Sequence, residues 1–276
     1  MSGRVGLALL KAEIGKVWAR PILEITVALM AVMATFLVQP ITKIVSHSNF
    51  SVLIQSIMAE NVSSVVSSLM LPLVVMCAVL MSLSFAKDYE SGLMQSILSA
   101  PVSRKMLFTV KFFAVVLPLA LLTWIFTTFF VGLTFYSSPW LVLQLSLFAL
   151  PVAFLFLMFC GSIGALVALV VKRTIPAVLT AFLVNFALWF PTTIITEVAF
   201  KEGAFYANYL CLTPYNGALV FLDKSLGIVP KISSEFADAL EISLSAVDFG
   251  ALLIVYVSIL MVPLFVYFWR RFEICE

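Results

Sequence analysis

Residue types that do chemistry are sparse in this chain, and their spacing excludes most of it. Cys77, Cys160, Cys211 and Cys275 form no CxxC pair, so they carry no zinc or redox motif. Cys77 and Cys160 lie in apolar runs and Cys275 near the C-terminal end, which argues against a disulfide framework. His47 stands alone in the sequence. Met70, Met76, Cys77 and Met81 are soft ligands of the kind copper(I) takes, with Cys77 and Met81 on one helical face. Methionine is equally ordinary packing material, and packing is the stronger reading here. A P-loop needs G-x-x-x-x-G-K-[ST], but Gly15-Lys16 is followed by Val17 and position 10 is Leu. Neither a nucleophile–base pair nor a metal-ligand set emerges. The sequence therefore assigns no catalytic residue, no metal site and no directly bound cofactor.

The elements around these residues are those of a membrane protein. Of the residues, 63% are hydrophobic and 11% charged, against about 45–50% and about 25% in a soluble domain. A net charge of +2 gives no basic face for nucleic acid, so no nucleic-acid partner is expected. Crossing the roughly 30 Å of bilayer hydrocarbon takes about 20 mostly apolar residues in a helix. Six continuous runs qualify, at about 21–41, 62–86, 107–136, 141–171, 174–196 and 249–269. Continuous rather than alternating hydrophobicity selects helices over a barrel. The expectation is one all-α transmembrane domain over 1–276. Its third and fourth spans are longer than needed, which predicts tilt or extension.

Lysine and arginine placement sets the expected orientation. With the N-terminus inside, Arg4, Lys11, Lys16, Arg20, Lys87, Arg104, Lys105, Lys111, Lys172, Arg173, Arg270 and Arg271 fall on the inner side, 12 of the 16. Lys43, Lys201, Lys224 and Lys231 fall outside. Both termini are thus expected in the cytoplasm of a cell whose plasma membrane holds the chain. Charges spread through residues 1–21 break the apolar core a cleavable signal peptide requires. Two sequons, Asn49-Phe50-Ser51 and Asn61-Val62-Ser63, then lie outside, Asn61 close to the membrane.

Residues 5–20 read as an amphipathic helix. Leu10, Ile14, Val17 and Trp18 take one side, and Lys11, Glu13, Lys16 and Arg20 the other. It lies in the inner interface or extends the first span. Glu24, one turn from Arg20, fits an ion pair at that surface. The stretch 197–247 is too long for a plain connection and is expected to hold short outer helices.

The most informative segment is the inner loop 85–105. Asp88 and Glu90 precede a short helix over about 90–100, where acidic groups favour the positive end of the dipole. Ser91 is a candidate cap. Leu93, Met94, Ile97 and Leu98 share a face, Pro101 ends the helix, and Ser103 caps the next span. Arg104 and Lys105 oppose that span's dipole by about 0.3–1 kcal/mol. Moving such a cation to the bilayer centre costs more, about 2.5–3.5 kcal/mol on insertion scales, so anchoring at the surface wins. A partner groove holding this helix and an unpartnered loop helix both fit the pattern.

The run Glu90-x-Gly92, then Ser99-Ala100-Pro101-Val102-Ser103-Arg104 and Lys111 in the next span, resembles the hallmark of permease subunits of ATP-binding-cassette transporters of the type-2 exporter group. Leu93 and Gln95 depart from it, where Thr and Glu are usual. The six-span layout, the amphipathic N-terminal helix and the long outer loop match as well. The resemblance implies that 90–100 is a coupling helix docking on a separate P-loop ATPase, present in two copies with its own ATP and Mg. Glu90, Gly92, Leu93, Met94, Ile97, Leu98, Pro101 and Arg104 would make that contact, with Glu90 and Gly92 shaping the docking turn. It also implies a second permease subunit, identical or homologous, and transport outward.

In that family the second and fifth spans tend to line the path. Asn185, with Phe182, Phe186 and Trp189 beside it, is the candidate path element in the fifth span; the other reading of Asn185 is a helix–helix hydrogen bond. Ser63, Ser64, Ser67 and Ser68, and Gly161, Gly164, Ala165 and Ala168, form small-residue stripes that packing explains. The competing class is an ATP-independent multi-span protein such as a secondary carrier. Carriers place acids or histidine inside spans, and the mid-span positions here hold none, Lys111 lying near a span end.

Overall fold

The computed structural model describes residues 2–19, 21–37, 50–94, 103–201, 212–228 and 245–270. Among them the regular elements are all helices: α1 Ser2–Val17, α2 Ile22–Leu37, α3 Phe50–Glu90, α4 Arg104–Thr134, α5 Pro139–Ser146, α6 Ala149–Val171, α7 Thr174–Lys201, α8 Pro214–Ser225 and α9 Ala246–Arg270. Among the described residues five stretches are long and apolar enough to cross a membrane, or six if the bent pair α1–α2 is one span. Residues such as Leu117, Leu121, Ile125, Ile175, Leu179, Leu183, Ile254 and Ile259 stay exposed on the bundle's outside. Apolar side chains that point both inward and outward suit lipid on the outer face, so the chain is an all-α protein of membrane-embedded type.

The central element is α3, with 78% of its most apolar window buried. It spans 41 residues, about 60 Å at 1.5 Å per residue, far beyond the expected 62–86. The sequence 50–61 contains neither Gly nor Pro, so nothing stops the helix from continuing past the hydrophobic run. Asn61 consequently sits inside α3, buried, its amide donating to Ile57 O at 2.8 Å, and cannot present itself to a glycosyl donor. Asn49 lies outside the described residues.

The expected fourth span, 141–171, is one span over Pro139–Val171, its helical hydrogen-bond ladder interrupted at Leu147–Phe148 between α5 and α6. Pro151 explains the position, because its ring clashes with the carbonyl four residues back, that of Leu147, and it has no N–H to offer. Leu147 O instead accepts from Leu150 N at 3.2 Å. The surplus length therefore stays in one long span of 33 residues. The third, fifth and sixth spans appear as α4, α7 and α9 within a few residues of expectation, except that α7 runs on to Lys201. α2 begins on schedule, and residues 38–41 of the first span lie outside the described set. In 197–247, the expected short helix is α8, whose Tyr215, Ala218, Val220 and Leu222 are buried.

The glycine stripe of α6 is a packing surface against α3. A Cβ on Gly164 would meet Met81 Cβ at 3.1 Å, and one on Gly161 would meet Met81 Cε at 2.8 Å. A Cβ on Gly15 in α1 would meet nothing within 4 Å beyond its own helix among the described residues. Gly164→Val should destabilise the bundle by about 1–3 kcal/mol through overpacking. Gly15→Ala should stabilise it by roughly 0.5–1 kcal/mol through helix propensity. Thermal unfolding of the two variants in detergent, with shifts of opposite sign, checks this.

Candidate functional site: a buried charge cluster and the turn beside it

Position 111 of α4 places a lysine where no solvent reaches it. A buried ammonium is tolerated only when its donors are satisfied and its charge is matched. Lys111 Nζ donates to Ser84 O of α3 at 2.9 Å, to Glu13 Oε1 of α1 at 3.1 Å and to Asp88 Oδ2 of α3. The other oxygen of Asp88 accepts from Lys16 Nζ of α1. Asp88 thus bridges two lysines, and the four side chains are neutral as a set. Lys111, Asp88 and Glu13 are buried, and Lys16 is partly exposed.

Aromatic rings of α3, α4 and α9 close the space beside the cluster. Phe85 and Phe108 lie 5.6 Å apart between centroids, and Phe108 and Phe268 5.3 Å. Trp18 is buried at the end of α1 and donates its indole N–H to Ala114 O at 2.9 Å. α1 is therefore held through a charged contact and an aromatic one a turn apart.

This arrangement corrects two sequence expectations. Glu13 does not face the solvated side of α1; it is buried toward Lys111, because a buried ammonium needs a counter-charge. Asp88 does not cap a following helix; it belongs to the last turns of α3 and points inward. The Ser91 hydroxyl donates to Asp88 O at 3.4 Å, and most of the helix it was expected to cap lies outside the described residues. Lys111 lies near the start of its span, as expected, and is packed inside the bundle there. Ser103 does cap α4, accepting from Met106 N at 3.3 Å. Arg20, the expected partner of Glu24, lies outside the described residues.

The coupling segment begins next to this cluster. Gly92 adopts φ 69°, the left-handed conformation that ends a helix at little cost to glycine, and its N–H bonds to Tyr89 O at 3.0 Å. Past it Leu93 is exposed and Met94 is buried. Lys87, Arg104, Lys105, Lys172 and Arg173 are exposed at this same basic end of the bundle. Ile97, Leu98 and Pro101 lie outside the described residues. Glu90 Oε2 accepts from both the backbone N–H and the hydroxyl of Thr174, at 2.9 and 2.6 Å. Lys172 holds its ammonium 5.5 Å from the centre of the Tyr89 ring.

Asn185 is buried in the contact between α7 and α6. Its Nδ2 donates to Ala181 O at 3.0 Å and Cys160 O at 3.5 Å, while Oδ1 has no hydrogen-bond partner among the described residues. Tyr215 of α8 donates to Asn185 O at 3.4 Å. This is the helix–helix arrangement of the two readings. Phe182, Phe186 and Phe190 stack along α7 with Trp189 against them, partly exposed on its flank. Cys77 donates weakly to Leu157 O at 3.8 Å, and Met81 packs on the α6 glycines, so both serve as packing. Among the described residues no group of three or more His, Cys, Asp or Glu is placed to hold a metal ion.

Sequence reasoning missed Asp223 of α8, which is buried and accepts from Ser63 of α3, and Thr174 as the partner of Glu90. The small-residue stripe around Ser63 was the only signal for the first.

Removing one member of a buried ion pair strands the other. Lys111→Met should cost about 3–5 kcal/mol. Adding Glu13→Gln to Lys111→Met should recover part of that loss, because it removes the stranded charge, whereas Asp88 keeps Lys16. Unfolding of the two single variants and the double variant in one detergent measures the coupling; additive losses would contradict the pairing.

No protein-family model matches this chain, and no curated protein matches it.

Proposed function

We propose that the chain is the transmembrane permease subunit of an ATP-binding-cassette transporter, moving its substrate, by preference outward, across the plasma membrane. One observation carries the reading: the exposed turn after α3 is braced from two sides. Buried charges tie its base to α1 and α4, and Glu90 ties it to α7. A docking element must transmit force rather than flex, and this turn sits on the longest and most buried helix. The exposed Leu93 and the basic groups around it suit a groove with an apolar floor and acidic rim.

In this reading both termini are cytoplasmic, and the coupling helix is the part of 90–100 that follows the turn at Gly92. Glu90, Gly92, Leu93, Ile97, Leu98, Pro101 and Arg104 supply the contact with a P-loop ATPase on another chain, and the buried Met94 anchors the segment to the bundle. ATP and Mg bind there, and the permease itself is not an enzyme. Two permease chains and two ATPases make the working unit. Phe182, Phe186 and Trp189 stay the candidate path residues on α7, on the flank the aromatic row exposes, while Asn185 is held in the contact with α6.

The second reading, an ATP-independent carrier, draws on Asp223. A carboxylate buried beside a transmembrane helix is a functional candidate by default. Lys111, Asp88 and Glu13 lend that reading less, since they are engaged with one another.

Co-purification of the tagged chain with the P-loop ATPase encoded in the same host distinguishes the two. Leu98→Asp should reduce capture at least tenfold, and Glu90→Ala should lower it less. Undiminished capture by Leu98→Asp overturns the docking assignment. Ion-driven uptake by the chain alone in liposomes, abolished by Asp223→Asn, favours the carrier.

A further inference from the structure

The tie between Glu90 and Thr174 joins two segments that the sequence separates by 84 positions. Thr174 is the first residue of α7. The N-terminal amides of a helix have no partners within it and carry its positive end. Pro176 brings no N–H to that first turn. The carboxylate that accepts from Thr174 belongs to the last residue of α3, so α7 takes its cap from another helix. The connection that precedes it is equally constrained. Lys172 holds φ 58°, a conformation costly for a residue with a side chain, and its ammonium rests over Tyr89. Two neighbouring residues of α3 thus grip the entry to α7, two positions before Gly92 turns the chain.

α7 is also the least buried of the candidate spans, with 17% of its apolar window inside the bundle. Weak burial leaves its position to be set by such specific ties.

We propose that Glu90 and Thr174 form a latch that makes the turn at 91–94 and the start of α7 move as one body. Glu90 is then a positioning residue, acting on α7 through Thr174. Its functional consequence rests on the permease reading: displacement of the docked turn by an ATPase is delivered across the latch to α7, as well as along α3.

The test uses the full chain in lipid nanodiscs, with spin labels at Leu93→Cys and Ile175→Cys, both exposed positions. Cys211 and Cys275 are replaced by Ser, and the buried Cys77 and Cys160 are kept. The intact latch should give one narrow distance. Glu90→Ala should at least double the width of the distribution, and Thr174→Val should widen it less. Glu90→Gln keeps an accepting oxygen and should stay narrow. An unchanged width in both Glu90→Ala and Thr174→Val overturns the latch.

A second readout is the complex with the P-loop ATPase. Thr174→Val should leave the amount of captured ATPase within twofold of wild type and lower permease-stimulated ATP hydrolysis at least fivefold. Loss of capture in Thr174→Val would overturn transmission, because Thr174 would then be a docking residue; unchanged hydrolysis would overturn it too. Failure of the wild-type chain to capture any ATPase counts against the permease reading alone, and the label distances still decide the latch.

Discussion

An ammonium group sealed from solvent governs the basic end of this bundle. Lys111 cannot be buried alone, because the cost of removing its charge from water is several kcal/mol even after relaxation. Its position in α4 therefore requires α3 to stay helical as far as Asp88, beyond the point where its apolar run ends. It also requires α1 to dock with Glu13 turned inward. Asp88 in turn draws Lys16 to its second oxygen, which fixes the rotation of α1 about its own axis. The phenylalanines of α3, α4 and α9 keep the dielectric low around these contacts, which strengthens the paired state and penalises any unpaired one.

Three helices are registered by that cluster, and a fourth is added by Glu90. Asp88 and Glu90, two residues apart at the end of α3, face different neighbours: one reaches inward to α4 and α1, the other across to α7. The chain then reverses at Gly92. The turn that follows is fixed at its base from both sides, while Leu93 remains exposed. On the proposed reading this is the mechanical design a docking element needs. An ATPase pressing on a loosely tethered loop would bend the loop; pressing on this turn moves α1, α3, α4 and α7 together.

How far the sequence foretold this depends on the kind of interaction. Spans could be read because a hydrophobic run of about 20 residues matches the bilayer thickness and little else in a folded chain. α4 and α9 accordingly begin within three residues of where their runs begin. The Ser103 cap was legible because its signal is local. The interruption in the fourth span had a local signal in Pro151, yet its effect falls four residues upstream, at Leu147, inside an unbroken apolar run. The length of α3 was hidden because hydrophobicity stops where the membrane does, whereas a helix can run on into the polar residues beyond it. Glu13 was misassigned for a different reason. Helical periodicity places charges on a polar face, and only the partner at position 111, 98 residues away, turns that face inward. The link from Glu90 to Thr174 and the burial of Asp223 against Ser63 are likewise contacts between distant segments, to which spacing along the chain is blind.

On the proposed reading, this 30.4 kDa chain has no engine of its own and works as half of a permease that borrows one. Native mass spectrometry of the tagged chain, gently extracted from its own host membrane, tests that claim most directly. The expected result is an assembly of two permease chains with two P-loop ATPase chains, shedding the ATPases together when Leu98→Asp is introduced. The chain recovered alone, or with partners that lack a P-loop, would contradict it.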